Sequence, residues 1–288
     1  MLKWSIIIHR QNKEKYERCV DALSKLEIPA GYEVNLITVE GSKSRAAAYS
    51  QGMMQSDATY KLYLDENVCL LKKDFFQQVV ALFESDASLG LLGLSGTNVM
   101  PISGIGYNSK KRCGKLIFGS AQNEIVWTEQ AEGFSETLTV DGYVMIAHHD
   151  LPWRADLFTG DSFFAEAQSI EFKRKGYKVA VVGQETAWAW YTANEFPVSK
   201  RAAGIFLREY FMDLFPKVLV VIPTYNRSDY LKTALDSVLS QTYKNMEIVI
   251  SDDSTTDESE IMLQEYIKRD SRIKYYRLKL RTSQTSLQ

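Results

Sequence analysis

Lys61-Leu62-Tyr63-Leu64-Asp65-Glu66-Asn67-Val68 is the stretch that decides the fold. Its short apolar run, residues 62–64, stops at Asp65, and Asn67 follows two positions later. In a buried strand the side chains alternate, so Asp65 and Asn67 would point to the same side. Open α/β sheets bind ligands at the carboxyl ends of their strands, where a carboxylate can hold Mg²⁺ or Mn²⁺ and, through it, a diphosphate. The alternative is a strand that ends in an ordinary polar turn.

The segments around this stretch alternate between two apolar patterns. Continuous or β-branched apolar runs predict strands, and apolar residues at helical spacing predict helices. The predicted strands are 4–8, 33–39, 62–64, 89–94, 140–146 and 177–182, and the predicted helices are 14–27, 44–54, 73–84, 161–175 and 199–214. Residues 95–137 are rich in Gly, Ser and Asn and predict short strands and loops. This alternation indicates an α/β fold, Rossmann-like, with a mostly parallel sheet flanked by helices.

The composition is that of a soluble globular protein and excludes several classes. The chain has 288 residues and a formal net charge of −2, which argues against a nucleic-acid-binding protein. Its longest apolar runs are far shorter than a membrane span, and no secretory signal precedes the first strand. Three scattered cysteines fit free thiols in a reducing compartment, so we expect a cytoplasmic location.

The pattern of the first forty residues starts again near residue 218. A strand at 218–222 leads to a helix that Ser228 caps, and a second strand follows at 246–250. At a nearly constant offset, Ile8 corresponds to Ile222 and Asn12 to Asn226. We interpret this as an internal duplication, although two generic βαβ units can also resemble each other by chance. The predicted domains are therefore residues 1–214 and 215–288.

The second domain is predicted to be only the N-terminal part of its fold. After a helix at 259–269 and a strand at 273–278, the sequence does not reach a second acidic strand end like that at Asp65. The polar tail, residues 279–288, is expected to be disordered.

Residues 218–257 resemble the opening of family 2 glycosyltransferases, which have the GT-A fold and use nucleotide-diphosphate sugars. The resemblance rests on the run from Val218 through Pro223-Thr224-Tyr225-Asn226-Arg227, and on Ser251-Asp252-Asp253-Ser254, and it covers residues 217–278. It implies that Thr224, Asp252 and Asp253 contact the nucleotide. The family's metal-binding motif and its catalytic base are missing here, so this part should be inactive alone.

Residues 1–212 resemble a divergent glycosyltransferase-like domain of the same superfamily. The motifs are Asp65-Glu66-Asn67, Val140-Asp141-Gly142, and residues 168–172 before Gly176-Tyr177. The resemblance implies that Asp65 and Asn67 bind Mg²⁺ or Mn²⁺, with Asn67 in place of the second aspartate. It also implies nucleotide contacts from His9, Glu40 and Asp65, a catalytic base at Asp161 with Asp156 as second choice, and an acceptor-facing Asp141.

Other features of the sequence have two interpretations each. Asp161 could instead complement the dipole of the following helix. Trp188 and Trp190 could stack on a sugar, although core packing is the usual role of such residues. His148 and His149 would point apart in a strand, which argues against a metal site. The basic segment 268–281 could approach an anionic membrane or simply be solvated surface.

Together these features predict a glycosyltransferase of hexosyltransferase type. It would move a sugar from a nucleotide-diphosphate donor, first of all a UDP-sugar, to a glycan or lipid-linked acceptor in polysaccharide or surface-glycan synthesis. The reaction would be inverting and metal-dependent, in the cytoplasm or at the inner face of the membrane. The alternative is a non-catalytic GT-A-like module that binds nucleotide or glycan, or serves as a scaffold in a larger two-domain glycosyltransferase. A nucleotidyltransferase is disfavoured because the sequence has no Gly-rich, Lys-containing N-terminal loop.

Overall fold

The helices and strands of this protein fall into two compact units, Met1–Leu214 and Phe215–Gln288. The computed structural model describes residues 1–128, 132–195 and 198–277. The strands of the first unit are β1 (Leu2–His9), β2 (Tyr32–Val39), β3 (Tyr60–Leu64), β4 (Val68–Leu70), β5 (Leu89–Gly93), β6 (Ser95–Thr97), β7 (Arg112–Phe118), β8 (Asn123–Thr128), β9 (Phe134–Glu136), β10 (Thr139–Val140), β11 (Val144–Ala147), β12 (Lys178–Val182) and β13 (Ala189–Tyr191). Its helices are α1 (Lys13–Leu23), α2 (Arg45–Met54), α3 (Phe75–Ser85), α4 (Phe164–Arg174) and α5 (Lys200–Leu214). In the described ranges, no helix is long and apolar enough to span a bilayer.

The main sheet of the first unit has the strand order β2-β1-β3-β11-β5-β12-β9. Strands β2, β1, β3, β5 and β12 run in one direction, and β11 and β9 run in the opposite direction. A second sheet has the order β10-β6-β7-β13-β4, with β8 paired to β7. The predicted α/β fold class, a mostly parallel sheet flanked by helices, is confirmed.

Apolar residues cover both faces of the main sheet. On one face Trp4, from β1, packs with Phe75 and Phe76 of α3. On the other face Ile7 belongs to a cluster with Tyr49 of α2. Adjacent residues of a strand point to opposite faces, and the mostly apolar strands β1 and β3 therefore suit a sheet covered on both sides.

The carboxyl ends of β1 and β3 lie side by side, because Ile8 pairs with Leu64 in parallel register. Residues 65–67 connect β3 to β4 at this edge, and all three side chains are buried. Glu66 accepts hydrogen bonds from the backbone N–H groups of Gln11 (2.9 Å) and Asn12 (3.0 Å), which fixes the loop that leaves β1. The turn at Asp65 is therefore built into the same edge as the end of β1.

Three predicted elements differ from the structure. The predicted strand 140–146 is interrupted, because Asp141 N donates to Ser95 O and Tyr143 O accepts from Asp65 N. The predicted helix 161–175 is the shorter α4, which begins after Phe163 in a left-handed conformation (φ 65°). The predicted helix 14–27 is the shorter α1. In each case a turn that is fixed by local or tertiary contacts replaces regular structure that the apolar pattern alone would have extended.

The second unit is a separate arrangement of alternating strands and helices. It contains β14 (Val218–Thr224), α6 (Ser228–Leu239), β15 (Met246–Asp252), α7 (Glu258–Arg269) and β16 (Ile273–Arg277). Its strands are parallel in the order β14-β15-β16, over a core that includes Leu235, Ile248 and Leu263. Both units thus open with a strand, a helix and a second strand parallel to the first. The predicted tail, residues 279–288, and the end of the basic segment 268–281 lie outside the described residues.

Candidate active site

A cleft at the carboxyl ends of β1 and β3 gathers the charged residues of the first unit. Its lining includes Arg45, Asp65, Arg112, Asp141, Asp161 and Glu166. The empty space, counted with its mouth open to solvent, is about 690 Å³. Three of the predicted residues, Asp65, Asp141 and Asp161, are therefore brought together from segments far apart in the sequence.

Asp65 is buried and both of its carboxylate oxygens already have partners. Oδ1 accepts hydrogen bonds from the backbone N and from Nδ2 of Asn67, each at 2.8 Å. Oδ2 accepts from Nη1 of Arg45, with which it forms an ion pair. Asp65 and Asn67 do lie together as predicted. The reason is a tight turn after Leu64, and not the alternation of a continuing strand.

Arg45 is the buried cation of this site, and the sequence analysis did not single it out. It is the first residue of α2, after Ser44, whose hydroxyl caps the helix by accepting from Ala47 N at 3.2 Å. Its guanidinium lies over the ring of Phe164 (5.6 Å), and Nε is 3.9 Å from Oδ1 of Asp161. Burial opposes its charge, but Asp65 together with Tyr49 and Asp161 outweighs this, so the pKa of Arg45 lies above its usual value. An arginine at the N-terminus of a helix opposes the helix dipole, which was the available signal.

The predicted metal ligands do not form a divalent cation site in this arrangement. Oδ2 of Asp65 faces the Arg45 guanidinium, and Oδ1 is covered by the amide of Asn67. Oxygen ligands of Mg²⁺ or Mn²⁺ must be turned toward the ion, and several are needed. Within the described ranges, no three His, Cys, Asp or Glu side chains group in a way that could hold a metal. The residues present therefore do not fit the expected cofactor.

Arg112 and Asp141 form a second ion pair of the cleft, in which the arginine is buried. Arg112, on β7, is 4% exposed and donates from Nη2 to Oδ2 of Asp141 at 2.5 Å. Its guanidinium lies 4.3 Å from the ring centroid of Trp127 and 5.2 Å from that of Tyr107. Ser95 also donates to Asp141. These contacts fix Arg112 in the wall of the cleft, where it adds a second positive charge.

Two carboxylates at the start of α4 complete the cleft. Asp161 is half-buried and accepts from Nε2 of Gln11 at 3.3 Å, three residues before the helix begins. Asp161 is therefore not in the first turn, where the sequence analysis had placed it. Glu166 is in that turn, and burial together with the nearby Asp141 raises its pKa to about 7. Sequence analysis missed Glu166, because a glutamate in the first turn of a helix is ordinary.

The remaining predicted residues of the first unit lie outside the cleft lining. His9 ends β1 and is buried; burial, and then Arg45, lower its pKa, so it is neutral at pH 7. Glu40 is exposed and forms an ion pair with Arg10 (2.9 Å). Trp188 packs edge-on against Phe75 in the core.

Two further candidates also have structural partners. Trp190 donates from Nε1 to Gly119 O at 2.9 Å, which leaves it in the second sheet and not on the cleft wall. Asp156, the second choice for the base, is exposed and forms an ion pair with Arg154 at 2.9 Å.

In the second unit, the predicted nucleotide contacts lie at the carboxyl ends of adjacent strands. Thr224 pairs with Asp252 across β14 and β15. Asp252 is fully buried and accepts from Ser254 N (2.7 Å) and from the Tyr275 hydroxyl (2.8 Å). Asp253 and Thr224 share a shallow pocket with Arg227. The three residues are thus adjacent, and Asp252 is held by internal hydrogen bonds.

Known proteins match both units of the chain. The family model described as glycosyl transferase family 2 matches residues 219–284. The glycosyltransferase GlyA of Streptococcus pneumoniae is 46% identical over 59 residues, 20% of this chain and 8% of that protein. The GalNAc(5)-diNAcBac-PP-undecaprenol beta-1,3-glucosyltransferase of Campylobacter jejuni is 41% identical over 61 residues, 21% of this chain and 20% of that protein. The matched part therefore spans only a small share of these relatives.

Solved structures align with this chain at low sequence identity and low TM-score. A fragment of TarS from S. aureus in complex with UDP aligns with a TM-score of 0.44 and 15% identity, covering 72% of this chain and 66% of that chain. The mannosyltransferase PcManGT from Pyrobaculum calidifontis, in complex with GDP-Man and Mn²⁺, aligns with a TM-score of 0.39 and 13% identity, covering 64% of this chain and 58% of that chain. The family model described as glycosyltransferase like family matches residues 5–210, nearly the whole first unit. The chain therefore belongs to the glycosyltransferase-like family.

Proposed function

We propose that the first unit transfers a sugar from a nucleotide-diphosphate donor to a hydroxyl group of a glycan acceptor. The observation that carries this proposal is the cleft at the end of β3, where two buried guanidinium groups, each paired with a carboxylate, lie near Asp161 and Glu166. The N–H donors of a guanidinium suit a diphosphate leaving group, and a carboxylate suits an acceptor proton. Membership of the glycosyltransferase-like family supports the same reaction class.

In the proposed reaction the acceptor oxygen attacks C1 of the sugar as the bond from C1 to the diphosphate oxygen breaks. The electron pair of that bond leaves with the nucleoside diphosphate, and the hydroxyl proton passes to a carboxylate. We assign the proton to Glu166, because its pKa of about 7 suits a base at neutral pH. Asp161 faces Arg45 instead, and we assign it to orienting that guanidinium. A single displacement of this kind inverts the configuration at C1.

The donor and the acceptor are proposed from chemistry and from the relatives' names. We propose a UDP-sugar as the donor, with His9 and Glu40 near the nucleoside and Asp141 near the acceptor. A relative is named for a glucosyltransferase that acts on an undecaprenol-linked glycan, so a lipid-linked acceptor at the inner face of the membrane is the form to test. Mg²⁺ and Mn²⁺ are not included in the proposed site, because Asp65 and Asn67 do not fit a cation as they are arranged.

A screen of nucleotide sugars tests the proposal directly. The full chain would be incubated with UDP- and GDP-sugars with and without glycan acceptors, and the released nucleoside diphosphate would be quantified. We expect release above background for one donor, and an inverted anomeric configuration by NMR of the product. If a nucleotide sugar binds but no nucleoside diphosphate is released with any acceptor, the proposed transferase activity is wrong, and a non-catalytic binding module is favoured.

That binding module is the second candidate function, and one observation favours it. Both oxygens of Asp65 are engaged within the protein, as they would be in a domain that keeps its fold but not its chemistry. In the second unit, Thr224, Asp252 and Asp253 are proposed as nucleotide contacts of the segment that the family 2 model matches. Loss of binding in Asp253→Ala, with release by the first unit unchanged, would support that assignment.

A further inference from the structure

We propose that Arg45 binds the donor diphosphate in place of a divalent cation, so that the nucleotide binds without metal. This inference rests on the proposed nucleotide-sugar donor and adds to it the chemistry of the diphosphate site. Asp65 and Asn67, which were predicted to bind a metal, bond to each other, and Asp65 also pairs with Arg45. The position expected for a cation beside Asp65 is taken by a guanidinium that the protein itself supplies.

The local contacts explain why a metal ion would be disfavoured here. A cation bound at Asp65 would have to displace Arg45 from Oδ2, or lie within a few ångströms of its charge. The side chain of Arg45 is 8% exposed, so its charge is poorly screened by water. Like charges repel strongly when both are poorly solvated. Asn67 turns its Nδ2 toward Asp65, and its Oδ1 has no hydrogen-bond partner among the described residues. A single amide oxygen does not make a cation site, because Mg²⁺ and Mn²⁺ need several oxygen ligands.

Arg45 still has hydrogen-bonding capacity toward the cleft. Its Nε has no hydrogen-bond partner among the described residues, although it is buried and 3.9 Å from Asp161. Oδ1 of Asp161 also lacks a hydrogen-bond partner in the described part of the chain. Buried polar atoms are normally paired, so such atoms in a cleft wall indicate a place for a ligand. A guanidinium has five donors in a planar fork, which matches phosphate oxygens two at a time.

The two carboxylates beside Arg45 then act as positioning residues. Asp65 fixes the Nη1 end of the guanidinium, and Asp161 lies near the Nε side. The arginine is carried on the first turn of α2, whose packing against β1 holds it at the ends of the central strands. The positive charge of Arg45 is thereby held in place before the nucleotide binds, as the charge of a bound metal ion would be. Arg112 contributes a second positive charge to the same cleft.

Calorimetric titration of the full chain with UDP and with GDP tests this inference, each in EDTA and in Mn²⁺. We expect the Kd of the better nucleotide to differ by less than threefold between the two conditions. Arg45→Met should weaken nucleotide binding by roughly 10- to 100-fold, the loss expected for a charge-assisted contact. Uridine or guanosine, which lacks phosphate, should bind wild type and Arg45→Met equally. Arg18→Met, an exposed arginine of α1, is the matched control and should not change the Kd.

Two more variants separate the arginine from a metal and from misfolding. Asp65→Asn removes the carboxylate that a metal would need, so a much smaller loss than in Arg45→Met supports the arginine. The double variant Arg45→Met with Asp65→Asn removes both charges, and it tests the diphosphate contact where Arg45→Met alone does not fold. Binding that requires Mn²⁺, or Arg45→Met binding as tightly as wild type, would overturn the inference. If neither UDP nor GDP binds wild type under any condition, the nucleotide-donor proposal fails and this inference fails with it.

Discussion

At the level of single residues, the cleft is a balance of buried charges. Asp65 and Asp141 are each paired with a buried guanidinium, so neither carboxylate is left alone in a poorly solvated place. Breaking one such pair leaves an uncompensated buried charge, which costs several kcal/mol, roughly 3–5. Glu166 differs from both, since burial raises its pKa to about 7 and Asp141 adds to the effect. Glu166, whose carboxyl pKa is raised, is therefore the residue of the cleft that is suited to accept a proton.

We predict that Glu166→Gln lowers the rate of sugar transfer by about 10²- to 10⁴-fold, the usual contribution of a general base. The Kd for UDP should change by less than threefold, since Glu166 is assigned to the acceptor proton. The measurement is transfer rate and calorimetric Kd on the same preparation. Glu124→Gln, on the exposed strand β8, is the control. A larger loss of transfer in Asp161→Asn, with Glu166→Gln near wild type, would return the base to Asp161.

The raised pKa of Glu166 also predicts a pH dependence of stability. Between pH 4.5 and about 7 the folded protein keeps a proton that the unfolded chain has released, so this group makes the fold less stable as pH rises. Replacing it by glutamine removes that loss. The measurement is the free energy of unfolding in urea at pH 5 and at pH 8. From the lower to the higher pH, Glu166→Gln should become more stable relative to wild type. The upper limit of this change is about 3 kcal/mol, and partial exposure of Glu166 to solvent makes the expected change smaller. A difference that stays constant with pH would contradict the raised pKa.

Some of these residues could be found from the sequence, and others could not. Asp65 was found because an apolar run that stops at an acid is a local pattern, and Asp141 and Asp161 came from resemblance. Glu166 carries no such pattern, because a glutamate in the first turn of a helix is ordinary, and Arg45 is marked only by its unfavourable place at a helix N-terminus. Their importance depends on which strand ends the helices approach, and that is set by tertiary packing.

At the level of elements, α2 positions the site because it packs closely on β1. Gly52 allows this, since a Cβ atom built there would lie 2.3 Å from Cγ2 of Ile7. The glycine is thus a packing requirement of the helix that carries Arg45. Sequence patterns indicate an Ala-rich helix here, but they do not show which small residue faces the sheet.

We predict opposite effects for two helical Gly→Ala changes. Gly52→Ala should destabilise the fold by roughly 1–3 kcal/mol, because the new methyl group would overlap Ile7 in a fully packed core. Gly204→Ala, in α5, should stabilise it by about 0.5–1 kcal/mol, because a Cβ there meets nothing within 4 Å and alanine favours a helix. Urea unfolding of both variants is the measurement. A gain in stability for Gly52→Ala would mean that α2 can move away from β1 without cost.

The turn between β10 and β11 shows why element boundaries were harder to predict than element types. Residues 140–146 read as one strand, yet Gly142 lies so close to the Phe164 ring that a Cβ would be 2.4 Å from Cζ. The chain turns there because Asp141 and Tyr143 bond to Ser95 and Asp65. Ser95 lies 46 positions before Asp141, and Asp65 lies 78 positions before Tyr143, so no local sequence pattern contains these partners.

At the level of the whole molecule, two compact units follow each other with the same opening order of strand, helix and parallel strand. Family models match residues 5–210 and 219–284, one on each unit. The internal repeat was visible in the sequence because its motifs lie at strand ends, where spacing along the chain is conserved by the fold. In the second unit, β15 is the only described strand that pairs with β14, and Leu219 and Val221 of β14 are exposed. Each unit has its own apolar core, so each should respond separately to damage.

We predict that a core change in the second unit leaves the cleft of the first unit intact. Leu235 is fully buried in the core of the second unit, and Leu235→Ala should lower the stability of that unit by roughly 2–5 kcal/mol. Hydrogen exchange should accelerate across β14, β15 and β16, while protection of β1 and β3 and the release of UDP from a UDP-sugar by the first unit stay as in wild type. Ile261→Ala, at an exposed position of α7, is the control and should change neither quantity. If Leu235→Ala also lowers the protection of β1 and β3 or the release of UDP, the two units do not unfold independently.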